Sequence, residues 1–332
     1  MGREFARLLL ERGRTLRRDF GLEARVVGIV TGSHGRVERR EGIDLRKALR
    51  LADAGRPLDA CGTPVREPTK AFLQRVRADV VIEITPLRIA ERQPALDHVL
   101  AALRSGKHVI TANKGPVVYH YPRLRALALR HRVGFRYEGT VMDGAPVFNL
   151  FQETLRGARV ESFEGILNST RNFILSEMEA GRSYEGGIEA ARSMGLLERD
   201  PSLDLDGWDA TVKACLLGNV LMGGKLRPEA VPRQGIAGVT DGRVRAAQAM
   251  GRRLKQVARG SRDGREVRAS VTLEELPADH PLASVEGTSN ALLARTDLLK
   301  EILISERHPG IRQTAFALYS DLLAIHEGRR NP

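Results

Sequence analysis

Cysteine is almost absent from this 332-residue chain, and long apolar runs are absent altogether. The only two cysteines, Cys61 and Cys215, lie far apart and show no metal-ligand spacing, which is typical of a reduced cytoplasmic protein. No stretch approaches the about 18–20 apolar residues that a membrane span requires. The N-terminus also lacks the apolar core of a signal peptide. We therefore predict a cytoplasmic protein without a membrane partner.

Aromatic residues are scarce as well, at 5% of the chain, although the formal net charge is +12. The basic residues are mostly arginines scattered over the backs of predicted helices, and no helix-turn-helix or zinc-finger pattern occurs. With few rings to stack bases and no recognition motif, the charge is weak support for nucleic-acid binding. We predict no nucleic-acid partner, and the charge is compatible with an anionic small molecule.

The glycine-rich opening of a dinucleotide-binding fold is also missing. Such a fold normally begins with a strand, continues through Gly-x-Gly-x-x-Gly and then enters a helix. Here an amphipathic helix is predicted over residues 3–19, so Gly2 can only be the last glycine of that fingerprint. The first strand is therefore expected to be missing, through either a misassigned start or a truncation.

The segments that follow alternate between strand and helix patterns. Apolar runs predict strands at residues 25–30, 79–84, 107–112 and 134–137, and helical patterns lie between several of them, over 91–105 and 117–131. This alternation predicts an α/β fold of the Rossmann type, a doubly wound parallel sheet without its first strand. Residues 25–30 are expected to be one of its buried parallel strands.

From about residue 138 the character of the sequence changes to that of an α+β domain. A strand is predicted over 158–166, followed by a helix that Ser169 or Thr170 caps. Further helices are predicted over 185–194, 208–222 and 242–258, with strands at 267–273 and 299–304 and a last helix over 313–327.

Lysine is rare, since only eight of the 53 basic residues are lysine, yet Lys213 directly follows an acidic loop. Five carboxylates lie between Glu198 and Asp209, and Asp209 is one helical turn from Lys213. One interpretation is a solvated loop with an exposed ion pair. A calcium loop is rejected, because its twelfth position needs a bidentate Glu and here is Lys213. The third is an active site in which carboxylates position a polar substrate and the lysine handles a proton. The use of lysine favours it, because arginine does not release its proton.

Four segments together resemble the homoserine dehydrogenase family. They are Thr111-Ala-Asn-Lys-Gly-Pro116, Glu138-Gly-Thr-Val-Met-Asp-Gly-Ala-Pro146, Asn168-Ser-Thr-Arg-Asn172, and Ala191-x3-Gly195-x2-Glu198-x-Asp200-Pro201-x2-Asp204-x2-Gly207-x-Asp209-x3-Lys213. The last is close to the family's most diagnostic pattern, and the resemblance runs nearly end to end. It implies an NAD(P)-dependent oxidoreductase of threonine, methionine and isoleucine biosynthesis that reversibly reduces L-aspartate 4-semialdehyde to L-homoserine. The form it resembles is the short one, without a regulatory domain.

The resemblance also implies a role for each matching polar residue. Lys213 is expected to donate the proton to the nascent alkoxide, with Asp209 holding its ammonium in line. Lys114 is expected beside both the nicotinamide and the substrate, where a cation stabilises developing negative charge. Glu198 and Asp204 are expected to bind the amino group or the hydroxyl of the substrate.

On the cofactor side, the resemblance places Thr85 near the dinucleotide, at the carboxyl end of its strand. Gly2 and Gly310 are the remnants of two glycine-rich loops that approach the dinucleotide closely in the family, and the losses around them weaken the expected cofactor site. His34 and Arg36 could meet a 2′-phosphate, and no acid stands there for an NAD ribose, which favours NADP over NAD.

A loop at the domain junction matches one that holds a monovalent cation, such as sodium, in relatives. Its residues here are Glu138, Val141, Asp143 and Ala145. Only the two acids offer side-chain oxygens, and an ordinary hinge turn is an equally good interpretation.

Two hypotheses of different class remain open from the sequence. In both, residues 1–137 and 306–330 form the nucleotide-binding domain, residues 138–305 form the substrate-binding, catalytic and dimerisation domain, and the chain is expected to be a homodimer. The first hypothesis is an active homoserine dehydrogenase. The second is a catalytically weak paralogue that keeps the substrate pocket and acts as a binding or regulatory subunit.

Overall fold

A computed structural model describes residues 1–88, 93–197 and 205–328, and it divides into two compact units. The first unit comprises Met1–Gly144 and the C-terminal segment from Ile311, and the second comprises Ala145–Gly310. Within the described ranges, no helix is long and apolar enough to cross a membrane.

Helices and strands are numbered here in chain order. The helices are α1 (Gly2–Phe20), α2 (Leu45–Asp53), α3 (Thr69–Arg75), α4 (Pro94–Arg104), α5 (Lys114–His131), α6 (Ser169–Glu179), α7 (Tyr184–Ser193), α8 (Trp208–Leu221), α9 (Asp241–Ala249) and α10 (Ile311–His326). The strands are β1 (Gly28–Val30), β2 (Arg36–Glu38), β3 (Thr63–Pro64), β4 (Val80–Glu83), β5 (His108–Thr111), β6 (Phe135–Arg136), β7 (Val160–Ile166), β8 (Arg252–Asp263), β9 (Glu266–Pro277), β10 (Asn290–Thr296) and β11 (Lys300–Glu306).

A parallel sheet of β4, β5 and β6 organises the first unit. Val80 pairs with His108 and Glu83 with Thr111, while Ile110 pairs with Arg136. Helices α4 and α5 connect the three strands in turn, which confirms the predicted Rossmann-type α/β arrangement. Because parallel strands end at the same edge of a sheet, the residues after β4 and β5 are brought together there.

The prediction of a buried parallel strand at residues 25–30 is wrong. Strand β1 pairs antiparallel with β2, which in turn pairs with β3, and the residues of β1 are only half-buried. The cause is a tight turn. Thr31 donates to the carbonyl of Gly35 through both its N–H and its Oγ1, at 3.1 and 3.0 Å, and Gly35 has a φ of 85°. A glycine tolerates that conformation, so the chain reverses before a crossover helix can form.

The amphipathic first helix is confirmed as α1. Its buried residues Phe5, Leu8, Leu9 and Leu16 lie in one apolar cluster with Leu318 of α10 and Ile110 of β5. Burial of each such side chain contributes about 1.5–3 kcal/mol to folding. Gly21, at a φ of 65°, ends the helix in the left-handed conformation that a glycine adopts without strain.

The second unit is built on a five-stranded antiparallel sheet in the order β11-β10-β7-β8-β9. Helices α6, α8 and α9 pack against β8. This architecture confirms the predicted α+β character of the second half of the chain. Strand β7 of this sheet ends at Ile166, next to the segment that holds the candidate site.

The helix predicted over residues 242–258 is wrong in its second half. Helix α9 ends at Ala249, Gly251 has a φ of 67°, and β8 begins at Arg252. The apolar residues Leu254 and Val257 fit a helical spacing of three, but both are buried in the central part of a long strand. A short apolar run fits either structure, and pairing with β7 and β9 selects the strand.

Candidate active site

The candidate site of the second unit is centred on Lys213 and Asp209 of α8. Lys213 Nζ lies 3.1 Å from Asp209 Oδ2, one helical turn away, as the spacing predicts. Asp209 is in the first turn of α8, where the helix dipole favours a negative charge. The pair is not the exposed surface pair of the simplest interpretation, because Lys213 is only 8% exposed.

A backbone carbonyl fixes the lysine from a second direction. Lys213 Nζ donates to the oxygen of Leu167, at 2.7 Å, and Leu167 directly follows β7. An ammonium has three N–H donors. Within the described residues two of them are used, by Leu167 and Asp209.

Asn168 holds the acid of this pair. Its Nδ2 donates to Asp209 Oδ2 at 3.1 Å, while its Oδ1 accepts from the backbone N–H of Arg171 at 3.0 Å. Asn168 is therefore the N-cap of α6, which corrects the prediction that Ser169 or Thr170 caps this helix. An Asn at this position satisfies a helix N–H with its oxygen and leaves its nitrogen free to donate elsewhere.

Two further side chains anchor the start of α6. Asn172 Nδ2 lies 3.2, 3.0 and 3.3 Å from the carbonyls of Val285, Gly287 and Ser289. Thr170 Oγ1 donates to the carbonyl of Leu196 at 3.1 Å. These bonds join distant parts of the second unit, so the end of β7 and the start of α6 are held firmly beside α8.

The predicted substrate ligands Glu198 and Asp204 lie outside the described residues. Leu197 and Leu205, which border that segment, belong to one buried apolar cluster with Ile174 and Leu175 of α6. Cys215 also lies on α8, two residues after Lys213, and burial raises the pKa of its thiol to about 12. The thiol is therefore protonated at neutral pH and does not act as a nucleophile.

In the first unit, the carboxyl ends of β4 and β5 carry a second group of polar residues. Thr85 is exposed after β4, and both its N–H and its hydroxyl donate to the carboxylate of Glu83. Asn113, after β5, donates through Nδ2 to the carbonyl of Thr85 at 3.2 Å. The structure thus brings Thr85 close to the segment that leads to Lys114.

Lys114 is the first residue of α5, whose N-cap is Asn113, and not part of a loop before a helix at residue 117 as the sequence pattern suggests. The edge of a parallel sheet and the N-terminus of a helix are where dinucleotides bind in this fold class. Thr85, Asn113 and Lys114 therefore fit the nicotinamide half of a cofactor. When bound, that cofactor supplies or accepts a hydride.

The remaining predicted cofactor residues lie elsewhere in the structure. Gly2 begins α1, where an added Cβ would meet Ile84 Cδ1 at 3.4 Å, and Gly310 is exposed directly before α10. His34 is in the turn between β1 and β2, and Arg36 begins β2 and donates to the carbonyl of Glu67 at 2.8 Å.

The predicted cation-binding residues follow β6. The backbone N–H of buried Glu138 donates to Asp321 Oδ2 at 3.1 Å. Val141 is buried, and Asp143, with a φ of 37°, accepts from Thr314 Oγ1 at 2.6 Å. Ala145 is the first residue of the second unit. Across the described ranges, no group of three or more His, Cys, Asp or Glu side chains could hold a metal ion.

Two residues of these sites were missed by the sequence analysis. Glu83, only 3% exposed, ties Thr85 to Thr111, whose Oγ1 lies 3.4 Å from Glu83 Oε2. The sequence signal for Glu83 is its position as an acid at the end of the otherwise apolar run Val80-Val-Ile-Glu83. For Asn168 the sequence offers only its place in a motif, because its contact with Asp209 spans 41 residues.

Comparison with known proteins identifies the chain. The sequence model "Homoserine dehydrogenase, NAD binding domain" matches residues 1–138, and "Homoserine dehydrogenase" matches residues 146–323. An NAD(+)-dependent homoserine dehydrogenase of Pseudomonas canavaninivorans is 35% identical over 98% of this chain and 94% of its own length.

Solved structures agree with the sequence matches. A putative homoserine dehydrogenase of Archaeoglobus fulgidus superposes with a TM-score of 0.87 at 30% identity, over 98% of this chain and 96% of that one. A hyperthermophilic archaeal homoserine dehydrogenase in complex with NADPH gives 0.82 at 29% identity, over 100% and 96%.

A Rossmann-type unit matched by an NAD-binding model, together with a lysine–carboxylate pair suited to proton transfer, defines an NAD(P)-dependent oxidoreductase. The chain belongs to the homoserine dehydrogenase family. Nothing in these findings supports the alternative of a binding or regulatory subunit.

Proposed function

We propose that Lys213 is the proton donor in the reversible NAD(P)H-dependent reduction of L-aspartate 4-semialdehyde to L-homoserine. The observation that carries this role is the position of its ammonium. Asp209 and the carbonyl of Leu167 hold Nζ from two directions, at 3.1 and 2.7 Å, and one N–H is not used by any described residue.

The chemistry requires one hydride and one proton. In the reductive direction the hydride adds to C4 of the aldehyde, and the carbonyl π electrons move to the oxygen. Lys213 then gives its proton to that oxygen, which completes the hydroxyl of homoserine. In the oxidative direction the neutral amine takes the proton back. Asp209 stabilises the ammonium and keeps Nζ directed, which lowers the cost of orientation in both directions.

On the cofactor side we propose that Lys114, Thr85 and the start of α5 receive the nicotinamide. The support is the shared edge of β4 and β5, where Asn113 bonds to the carbonyl of Thr85. A lysine at this position also stabilises negative charge on the substrate oxygen. Gly2 and Gly310 are proposed to approach the dinucleotide through their backbones. The first unit thus acts as the nucleotide-binding domain, and the second as the substrate-binding and catalytic domain.

We propose NADP as the preferred cofactor, with Arg36 and His34 contacting the 2′-phosphate. The support is the basic character of these residues: His34 lies in the β1–β2 turn, and Arg36 lies next to it at the start of β2. The Pseudomonas canavaninivorans relative is described as NAD(+)-dependent, whereas the hyperthermophilic archaeal structure holds NADPH. The ratio of kcat/KM for NADPH and NADH measures the preference, and a ratio below one would reject it.

The remaining roles rest on the family resemblance. Glu198 and Asp204 are proposed to bind the polar groups of the substrate. Glu138, Val141, Asp143 and Ala145 are proposed to hold a monovalent cation such as sodium. A homodimer and a cytoplasmic location are also proposed, the latter supported by two cysteines that are both free and buried.

The decisive experiment is oxidation of NADPH with aspartate 4-semialdehyde, followed by absorbance, for wild-type chain and the Lys213→Ala variant. Turnover that depends on Lys213 supports the proposal. Wild-type turnover that survives the loss of Lys213 would show that the proton donor is another group.

A further inference from the structure

We propose that Asn168 is a positioning residue of the proton-transfer site, which aligns Lys213 by holding the carboxylate of Asp209. The inference rests on the proposed role of Lys213 and extends it to a residue that does not touch the reacting atoms. It is carried by one shared atom. Asp209 Oδ2 lies 3.1 Å from Asn168 Nδ2 and 3.1 Å from Lys213 Nζ.

The direction of the Asn168 amide is fixed by its two neighbours. Its other side-chain atom faces the backbone N–H of Arg171 at 3.0 Å, and a backbone N–H only donates. That atom is therefore the oxygen, and the atom that faces Asp209 is the nitrogen. The amide has one orientation that satisfies both contacts, so it donates to Asp209 Oδ2 without ambiguity.

The anchor of Asn168 is itself rigid. Asn168 joins the end of β7 to the start of α6, and the neighbouring Leu167 supplies the carbonyl that also accepts from Lys213. Asn172, one turn into α6, is pinned to three carbonyls of residues 285–289. Two consecutive residues thus define the position of Nζ, Leu167 directly and Asn168 through Asp209.

This arrangement gives the carboxylate of Asp209 a neutral donor beside the lysine. Asp209 is the second residue of α8, and its side chain is 24% exposed, so water can compete for its oxygens. An amide donor that bonds the same oxygen as the lysine keeps Oδ2 in front of Nζ. The charged hydrogen bond then holds the ammonium in one direction, and its third N–H points consistently.

Two substitutions separate this role from helix capping. Asn168→Ser keeps an oxygen that can cap α6 but is too short to reach Asp209. Asn168→Asp keeps both the cap and the reach, and it places a second carboxylate against Asp209 where a donor stood. Ser183→Ala is the matched control, because Ser183 caps α7 of the same unit by accepting from Gly186 N–H at 3.1 Å.

We expect Asn168→Ser to lower kcat for homoserine oxidation by roughly tenfold to a hundredfold, the size of a lost hydrogen bond to a charged group. The KM for homoserine should change little, because Asn168 does not contact the substrate. The melting temperature should stay within about 4 °C of wild type, and Ser183→Ala should keep the wild-type kcat. A wild-type kcat in Asn168→Ser would overturn the proposal.

A second readout does not need turnover. Cyanate carbamylates only the uncharged amine, and peptide mass spectrometry reports its rate at Lys213, with exposed Lys225 as internal reference. The extra carboxylate of Asn168→Asp favours the ammonium, so carbamylation of Lys213 should slow by about tenfold at the same pH. An unchanged rate would show that Asn168 does not face the pair. If the wild-type protein shows no turnover but carbamylation of Lys213 slows as expected in Asn168→Asp, only the proposed function is rejected.

Discussion

At the scale of single residues, the candidate site depends on where one ammonium is held. Lys213 is 8% exposed, and in such a position an unpaired charge would be costly. Asp209 and Leu167 offset that cost, and the proposed proton transfer needs a lysine here because an arginine does not release its proton. The proposed chemistry therefore depends on the residue type as well as on the charge.

The first prediction concerns this residue type. Lys213→Arg keeps the positive charge but cannot act as an acid at neutral pH, and Lys213→Ala removes both. Both variants should lower kcat by about 10²–10⁴-fold, the range of general acid–base catalysis. Steady-state kinetics and thermal unfolding check this, with Lys225→Ala as the control. Near-normal turnover by the arginine variant would mean that only charge is needed.

A second buried lysine lets the effect of burial on a charge be measured. Lys255 of β8 is fully buried, and its Nζ lies 3.2 Å from Glu179 Oε2 of α6. Burial lowers the pKa of Lys255 from its ordinary value of 10.5, although Glu179 opposes the shift. Unfolding then takes up a proton at any pH between the lowered pKa and 10.5. In that window the free energy of unfolding rises with pH, since the unfolded state binds more protons.

The test is urea unfolding of wild type and two variants over a series of alkaline pH values. Lys255→Met alone should lose about 3–5 kcal/mol, because it leaves the carboxylate of Glu179 buried without its partner. The double variant Lys255→Met with Glu179→Leu should recover most of that loss and lose the pH-dependent rise. A rise of equal slope in the double variant would assign it to another group.

At the scale of elements, strand pairing decides what helix periodicity leaves open. Gly260 of β8 lies directly opposite Phe163 of β7, and a Cβ at Gly260 would overlap the Phe163 ring. The aromatic ring therefore occupies the space that a side chain on the partner strand would fill. This close approach is one reason why residues 252–263 belong in the sheet.

The prediction that follows is local overpacking. Gly260→Ala should destabilise the second unit by about 1–3 kcal/mol, because the Phe163 ring must leave its place over the strand. Ser261→Ala, on the adjacent exposed position, should change stability by less than about 0.5 kcal/mol. Chemical unfolding measures both. The double variant Gly260→Ala with Phe163→Leu tests the cause. If it loses more stability than the two single variants lose together, the clash is not the cause.

At the scale of the whole molecule, the property to be tested is the assembly of two copies of the chain. Edge strand β11 carries Leu303, which is 48% exposed, and the turn before it carries Leu298 at 70% and Leu299 at 47%. Exposed apolar groups at the edge of a sheet are a common site of association. They support the proposed homodimer through the second unit.

We expect light scattering after gel filtration to give twice the chain mass of 36.6 kDa. Leu303→Asp should shift the population towards monomer, because it places a charge in an apolar contact. The matched control is Leu129→Asp on α5 of the first unit, where the leucine is equally exposed at 49%. A dimer that tolerates Leu303→Asp but not Leu129→Asp would place the interface on the other unit.

Much of this protein followed from local sequence alone. Residue spacing predicts the family, the parallel strands β4 and β5, and the pair Asp209 and Lys213. Spacing is informative because the geometry of a single helix or strand is fixed. Helix ends are local in the same way: Gly21 follows α1 and Gly181 lies just past α6, and both adopt the positive φ that glycine tolerates.

Only the tertiary structure decided the rest, because it depends on partners far along the chain. Strand β1 runs antiparallel, and residues 252–263 form a strand, because neighbouring strands supply their hydrogen bonds. The contacts of Lys213 with Leu167 and of Asp209 with Asn168 span 46 and 41 residues. Helical geometry places an acid beside the lysine, but the end of β7 fixes the direction in which that lysine points.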